Sequence, residues 1–313
     1  VIFRFTALGR FSSFSCYPWS LVFGNLFSAC IMLEVNSPLI DAQSLSANLE
    51  NDSLVLLDSS VEPVVPGFTS INNNEKFAVI PGARRFDYDQ IVCKPNTSLP
   101  HMMPSAELFQ VEARKLGINE DSIIVVYDDV GLYASPRAWW MLRSMGHEQV
   151  AVLSGGLPAW IEEGYNTVDE FSNPEPGNFE ANPDENLFCD FEVVLKALYE
   201  PTCKVLDARS AGRFQGTDPE PRPGVRGGHM PNAKNLPFPE VLDGGELKPP
   251  EELNEIFASL TTKDKKIITT CGSGITACIL TLAASVAGYE DLAVYDGSWA
   301  EWGLPSKLPV TTD

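Results

Sequence analysis

Cys271 ends an apolar, β-branched run, Lys266-Ile267-Ile268-Thr269-Thr270, and opens the loop Cys271-Gly272-Ser273-Gly274-Ile275-Thr276. Two glycines permit a tight turn, and the Ala- and Leu-rich stretch from Ala277 reads as a helix. A strand, loop and helix in this order put the sulfur inside a crescent of backbone N–H groups at a helix N-terminus, a site that favours negative charge. A thiol held there ionises more readily than a free cysteine, and the thiolate is the nucleophile. The plainer alternative is a buried structural cysteine before a turn. The Gly-Ser-Gly sequence between strand and helix favours the nucleophile. Cys278 falls on an inward helical face and reads as core, not as a second reactive thiol.

The charge balance narrows the partners. With 42 acidic and 22 basic residues the formal net charge is −20. So acidic a surface repels phosphate backbones, which argues against nucleic acid as a partner. An anionic substrate would have to be held by a few arginines acting against the mean field. The seven cysteines, Cys16, Cys30, Cys93, Cys189, Cys203, Cys271 and Cys278, show neither CxxC nor CxH spacing. No disulfide framework or zinc site is expected from them, and a reduced intracellular protein is.

The elements that position this loop occur twice. In the first half, Leu54–Asp58, Ile80–Ala83, Ile123–Asp128, a helix around Pro136–Met145, Val150–Leu153 and Gly155–Trp160 follow one another. In the second, Val205–Asp207, His229–Ala233, Lys266–Cys271, a helix from Ala277 to about Ala287, Leu292–Tyr295 and Asp296–Trp302 repeat that order. Length and repeat together predict two copies of one α/β domain, each a mainly parallel sheet with helices on both faces. Phe171–Asn178, rich in Pro, Gly and Asn, reads as the linker. The predicted organisation is residues 34–168, a linker over 169–186, and residues 187–313. Residues 1–33 carry Arg4 and Arg10 but no acid before Glu34, and an apolar run from Leu21 to Phe27 too short to span a membrane. The part before Met32 is expected to lie outside the mature fold, as translated upstream sequence or a targeting peptide.

The loop around Cys271 resembles the active-site loop of the rhodanese superfamily, and its Cys-Gly-Ser-Gly-Ile-Thr wording resembles the 3-mercaptopyruvate sulfurtransferase branch. The resemblance runs from about Pro38 to Pro309. It includes Asp207-Ala208-Arg209, Gly212-Arg213-Phe214, Pro219-Glu220-Pro221-Arg222 and Gly228-His229-Met230-Pro231, with Leu99–Pro104 and Ser135–Trp140 in the first half. It implies two tandem rhodanese-like domains. It further implies a sulfurtransferase that carries sulfur from 3-mercaptopyruvate as a persulfide on Cys271, with pyruvate as product.

The site implied by that resemblance consists of Cys271 and Ser273 as catalytic residues. Arg213 and Arg222 would hold the donor's carboxylate as planar forks, and Gly272, Gly274, Ile275 and Thr276 would line the substrate loop. Arg209 is expected to pair with an acid such as Asp207 or Glu220. Asp128 falls opposite Cys271 in the repeat and cannot carry a persulfide, so the first domain is expected to be catalytically silent. A Ser-centred relay with a His and an Asp has been proposed for some relatives; its His would be Val79 here, while His101 and His229 read as structural. No metal or organic cofactor is implied. The acceptor would be a thiol, such as a reduced thioredoxin-type dithiol, or cyanide; nucleic acid and membrane are not expected partners. The cytoplasm is the expected location, or an organelle or the exterior if the N-terminal segment is a true targeting peptide.

Three rival readings follow from the same residues. A thiosulfate-using rhodanese differs in donor; such proteins typically carry basic residues where Gly272 and Ser273 stand. A rhodanese-domain binding module would not need Cys271, Arg213 and Arg222 intact. A cysteine-dependent phosphatase or arsenate reductase needs Arg where Ala277 stands.

Overall fold

A computed structural model describes residues 35–72 and 77–312. The segment before Met32 lies outside the described residues. In the first half the chain order is β1 (Leu39–Ile40), α1 (Ala42–Ala47), β2 (Leu54–Asp58), β3 (Arg84–Arg85), α2 (Ala106–Lys115), β4 (Ile123–Tyr127), α3 (Ser135–Ser144), β5 (Val150–Leu153) and α4 (Gly156–Glu162). Its five strands form one sheet, β1-β5-β4-β2-β3, parallel throughout.

The second half continues with β6 (Phe188–Cys189), α5 (Phe191–Ala197), β7 (Cys203–Asp207), α6 (Ala211–Gln215), β8 (Lys234–Asn235) and a 3-10 turn at Phe238–Val241. A small antiparallel pair follows, β9 (Leu242–Asp243) and β10 (Glu246–Leu247), with no counterpart in the first half. Then come α7 (Pro250–Ala258), β11 (Lys266–Thr270), α8 (Thr276–Val286), β12 (Leu292–Tyr295) and α9 (Ser298–Trp302). The sheet order, β6-β12-β11-β7-β8, is that of the first half, again all parallel.

The repeat extends to register. Asp58 lies beside Tyr127, and Asp207 lies beside Thr270. The next residues, Asp128 and Cys271, therefore leave their sheets at matching points. Alternation explains why both faces are covered. Val55, Leu57, Ile124 and Val126 enter one core, while Leu56, Val125 and Tyr127 enter another with residues of α1 and α4. Strands apolar on both faces need helices on both sides.

The inner faces of the two halves share one core, because α3 packs against α8 and the two helices bury side chains together. In α8 every residue from Thr276 to Ala284 is buried, as in a helix enclosed on all sides. Each large aliphatic side chain there contributes about 1.5–3 kcal/mol of burial. A charge at Leu280 would be left without a partner.

The linker is not a free tether. Ser172 N donates to Ala83 O, Gly177 N to Arg114 O and Asn182 N to Met145 O, at 2.7, 2.7 and 2.9 Å. Arg114 Nε donates to Phe179 O at 2.7 Å, and the Phe179 ring is buried. Its composition marks where regular structure stops, and several of its backbone groups are satisfied by the first half. Among the described residues no helix is long and apolar enough to cross a membrane.

Candidate active site

The helices differ in how their first turns are satisfied: α3, α4, α6, α7 and α9, like α8, have no side-chain cap. Asp41, Ser105 and Asp190 each accept a hydrogen bond from the first turn of α1, α2 and α5. The residue before α8 is Ile275, which offers no side-chain cap. The amides of Gly272, Ser273, Ile275 and Thr276 have no acceptor among the described residues. Unsatisfied N–H groups at a helix start form a site for an anion.

Cys271 stands at the mouth of that crescent and is 1% exposed. Gly274 N points at its Sγ from 3.1 Å. The loop is fastened to α9. Trp299 N donates to Cys271 O and Ala300 N to Gly272 O at 2.9 and 2.8 Å, and Cys271 N donates to Ser298 Oγ at 3.2 Å. Gly274 has φ of +85°, and a Cβ there would lie 2.8 Å from Arg137 Nη1, so no larger residue fits. Cys278 is fully buried, its thiol pushed up to about 12 chiefly by burial, and it donates to Gly274 O. It packs in the core, as its spacing suggested.

The arginines form a chain of alternating charge. Arg209 binds Asp207 through Nε and Nη2, at 3.0 and 2.6 Å to Oδ2, stacks on Trp299 at 3.9 Å, and reaches Glu220 Oε1 at 2.7 Å. Its structural pairing is thus with both expected acids. Glu220 Oε2 in turn accepts from Arg213 Nε and Nη2 at 3.2 and 2.6 Å. Arg213 keeps Nη1 free and lies over Gly272. Arg222 is half-buried and forms no hydrogen bond or ion pair with a described residue.

These groups meet in a tight cleft, where Val64, Val65 and Tyr133 of the first half face Arg213, Arg222 and Ser273. Cys271, Gly272, Ile275 and Thr276 also line it. A roomier hollow lined by Asp58, Arg85 and Asp129 lies wholly in the first half. Ser60 and Ser70 also line it, but no cysteine does. Among the described residues no group of three or more His, Cys, Asp or Glu could hold a metal.

Two residues that the sequence reading passed over also support the loop. Arg137 of α3, fully buried, donates to Gly274 O at 3.3 Å, to His101 O at 2.6 Å and to Asp296 Oδ1 at 2.6 Å. Asp296 accepts from Met103 N as well. Both residues sit inside quoted sequence motifs, but only the assembled halves bring them together. His101 is half-buried, and desolvation lowers its pKa to about 4. His229 stacks on Phe214, its Nδ1 2.9 Å from Phe214 O. Val79 bridges Val168 as His229 bridges Thr311, and it lies in the outer core of the first half, away from the cleft.

The first half has its own crescent, filled from within. Asp128 is fully buried. Its Oδ1 accepts from Val130 N and Gly131 N, and its Oδ2 from Tyr133 N, Ala134 N, Ser135 N and Ser135 Oγ, all within 2.6–3.0 Å. Where the second loop presents open amides to a sulfur, the first presents satisfied amides to a carboxylate.

Comparison with known proteins agrees with this geometry. A model of the rhodanese-like domain matches residues 41–163 and again 191–304. The 3-mercaptopyruvate sulfurtransferase of Escherichia coli K12 is 38% identical over 281 residues, covering 87% of this chain and 96% of that protein. Rattus norvegicus thiosulfate sulfurtransferase is 40% identical over 272 residues, covering 83% and 89%. Among solved structures, the 3-mercaptopyruvate sulfurtransferase SseA from Escherichia coli superposes with a TM-score of 0.73 at 34% identity, covering 85% of this chain and all of that one.

Proposed function

The chain belongs to the rhodanese-like family, and on that premise we propose that it is a sulfurtransferase moving sulfur from 3-mercaptopyruvate through a Cys271 persulfide to a thiol or cyanide. The observation that carries the choice of donor is where the positive charge lies. Gly272 and Ser273, beside the sulfur, bear none, and the free edges of Arg213 and Arg222 enter the cleft from another segment. That spacing suits a carboxylate held away from the reacting sulfur, and thiosulfate, a compact dianion, would call for charge within the loop.

In the first half-reaction the Cys271 thiolate attacks the donor's sulfur while Arg213 and Arg222 hold its carboxylate. The S–S bond forms, the C–S bond breaks, and the released electron pair becomes the enolate of pyruvate. Protonation at carbon completes pyruvate. Open amides of the loop stabilise the charge on the persulfide, and Ser273 Oγ, which has no hydrogen bond to a described residue, is available to the donor. An acceptor thiol, a thioredoxin-type dithiol or cyanide then removes the outer sulfur, and the thiolate returns. Neither step calls on a metal or organic cofactor.

The first half completes the cleft and is silent, because Asp128 occupies its crescent. We read its location as the cytoplasm, a reading supported by the need of a catalytic free thiol for a reducing compartment. A thiosulfate-using enzyme is the second reading, favoured by the 40% identity to the rat relative. With cyanide as acceptor, thiocyanate and pyruvate appear in equal amounts from 3-mercaptopyruvate if the proposal holds. Turnover with thiosulfate alone would overturn it.

A further inference from the structure

The ketone oxygen of the donor, where charge gathers as the C–S bond breaks, has no partner in the scheme above. We propose that Tyr133, contributed by the silent half, donates its phenolic hydrogen bond to that oxygen as the enolate forms. The inference rests on 3-mercaptopyruvate being the donor.

Tyr133 is placed firmly. Its amide is held by Asp128 at 3.0 Å, and its ring packs against Phe68 and Phe238 at 5.8 and 6.4 Å. The side chain lines the cleft together with Cys271, Ser273 and Arg222. Its oxygen accepts weakly from Val64 N at 3.4 Å, and no described residue accepts its hydroxyl proton. The hydroxyl is thus held as an acceptor on one side and left as a donor on the other.

Its electrostatic neighbours fit the donor's shape. Burial raises its pKa first, the Val64 amide and Arg222 oppose the rise, and Cys271 and Asp128 add to it. The phenol shares the cleft with both Cys271 and Arg222, the groups proposed to meet the two ends of the donor. In 3-mercaptopyruvate the ketone carbon joins the carboxylate to the carbon bearing sulfur. With sulfur at Cys271 and carboxylate at Arg222, the ketone oxygen lies between them, on the wall that Tyr133 supplies. Ser273 and Thr276 start from the same loop as Cys271 and approach from the sulfur side.

No proton need leave Tyr133. The thiolate takes the donor's sulfur, the electron pair of the C–S bond moves onto the ketone oxygen, and the hydrogen bond strengthens there. The proton that reaches the methyl carbon of pyruvate comes from the persulfide S–H or from water.

The test is Tyr133→Phe in the full chain, with the half-reactions measured separately. Single-turnover loading of Cys271 from 3-mercaptopyruvate is expected to slow by about 100-fold, the lower end for losing one such donor. KM should change little. Discharge of the loaded persulfide to cyanide forms no enolate and should keep its rate, which also reports that the variant is folded. Equal slowing of both half-reactions, or loading at the wild-type rate, would overturn the role of Tyr133. If the wild-type protein is not loaded by 3-mercaptopyruvate but is by thiosulfate, the donor reading itself fails and takes this inference with it.

Discussion

Arg137 of the first half donates to Asp296 of the second at 2.6 Å, with both side chains almost wholly buried. The same guanidinium holds Gly274 O, and Gly274 N faces the Cys271 sulfur. One ion pair thus joins the halves and fixes the reactive loop. Arg137→Ala is expected to cost about 3–5 kcal/mol of unfolding free energy, as for other broken buried pairs, because Asp296 is left charged and buried. The midpoint and slope of a denaturant titration measure it. A loss below about 1 kcal/mol would show that the clasp carries little.

The two clamp arginines should respond differently. Arg222→Ala removes a cation that forms no hydrogen bond or ion pair with a described residue, and kcat/KM for 3-mercaptopyruvate should fall about ten- to a hundredfold, the worth of a charge-assisted hydrogen bond. Arg213→Ala should cost at least as much, since Glu220 loses one of its two cations and the cleft gains net negative charge. Steady-state kinetics on both variants decide this. If neither changes kcat/KM, the carboxylate is held elsewhere.

Donor preference follows from the uncharged loop. The wild-type kcat/KM for 3-mercaptopyruvate should exceed that for thiosulfate at least about tenfold, or ~1.4 kcal/mol. Replacing Gly272 with Arg and Ser273 with Lys should move the ratio toward thiosulfate. A Cβ at Gly272 meets no backbone atom within 4 Å, and its nearest neighbour is Arg213 Nη2 at 3.1 Å, which is paired with Glu220 and must give by a few tenths of an ångström. A ratio unmoved by two added charges would contradict the argument.

Asp128 should matter to the fold, and to turnover only through Tyr133, whose amide it holds. Asp128→Asn keeps the shape but turns an amide toward N–H groups that need an acceptor, at a cost of about 3 kcal/mol. Thermal or denaturant unfolding would show it. Discharge of a loaded persulfide by the residual folded protein should keep close to the wild-type rate, and a selective loss of discharge would show that the first crescent takes part in chemistry beyond placing Tyr133.

The sequence made local features legible and left long-range ones hidden. The strand Lys266–Thr270, the glycine turn and the helix after it follow from β-branched runs, glycine spacing and helix formers over a short span. The repeat of Asp128 on Cys271 was readable for the same reason, being a matter of order along the chain. Arg137–Asp296 was not readable, because those residues are 159 positions apart and meet only when α3 packs on α8. Glu220 was noted as a partner for Arg209, but its second hold on Arg213 depends on the fold of the loop after α6. Tyr133 gave no signal, since a buried tyrosine after a strand looks like core in any sequence.

The central claim is that sulfur leaves 3-mercaptopyruvate and rests on Cys271. Mass spectrometry of the full chain after one addition of 3-mercaptopyruvate without acceptor, followed by peptide mapping, tests it most directly. The account predicts a gain of one sulfur atom on the peptide bearing Cys271, its removal by cyanide, and no gain in a folded Cys271→Ser variant. Sulfur found on Cys278 or another cysteine, or a Cys271→Ser protein that still loads and transfers sulfur, would contradict it.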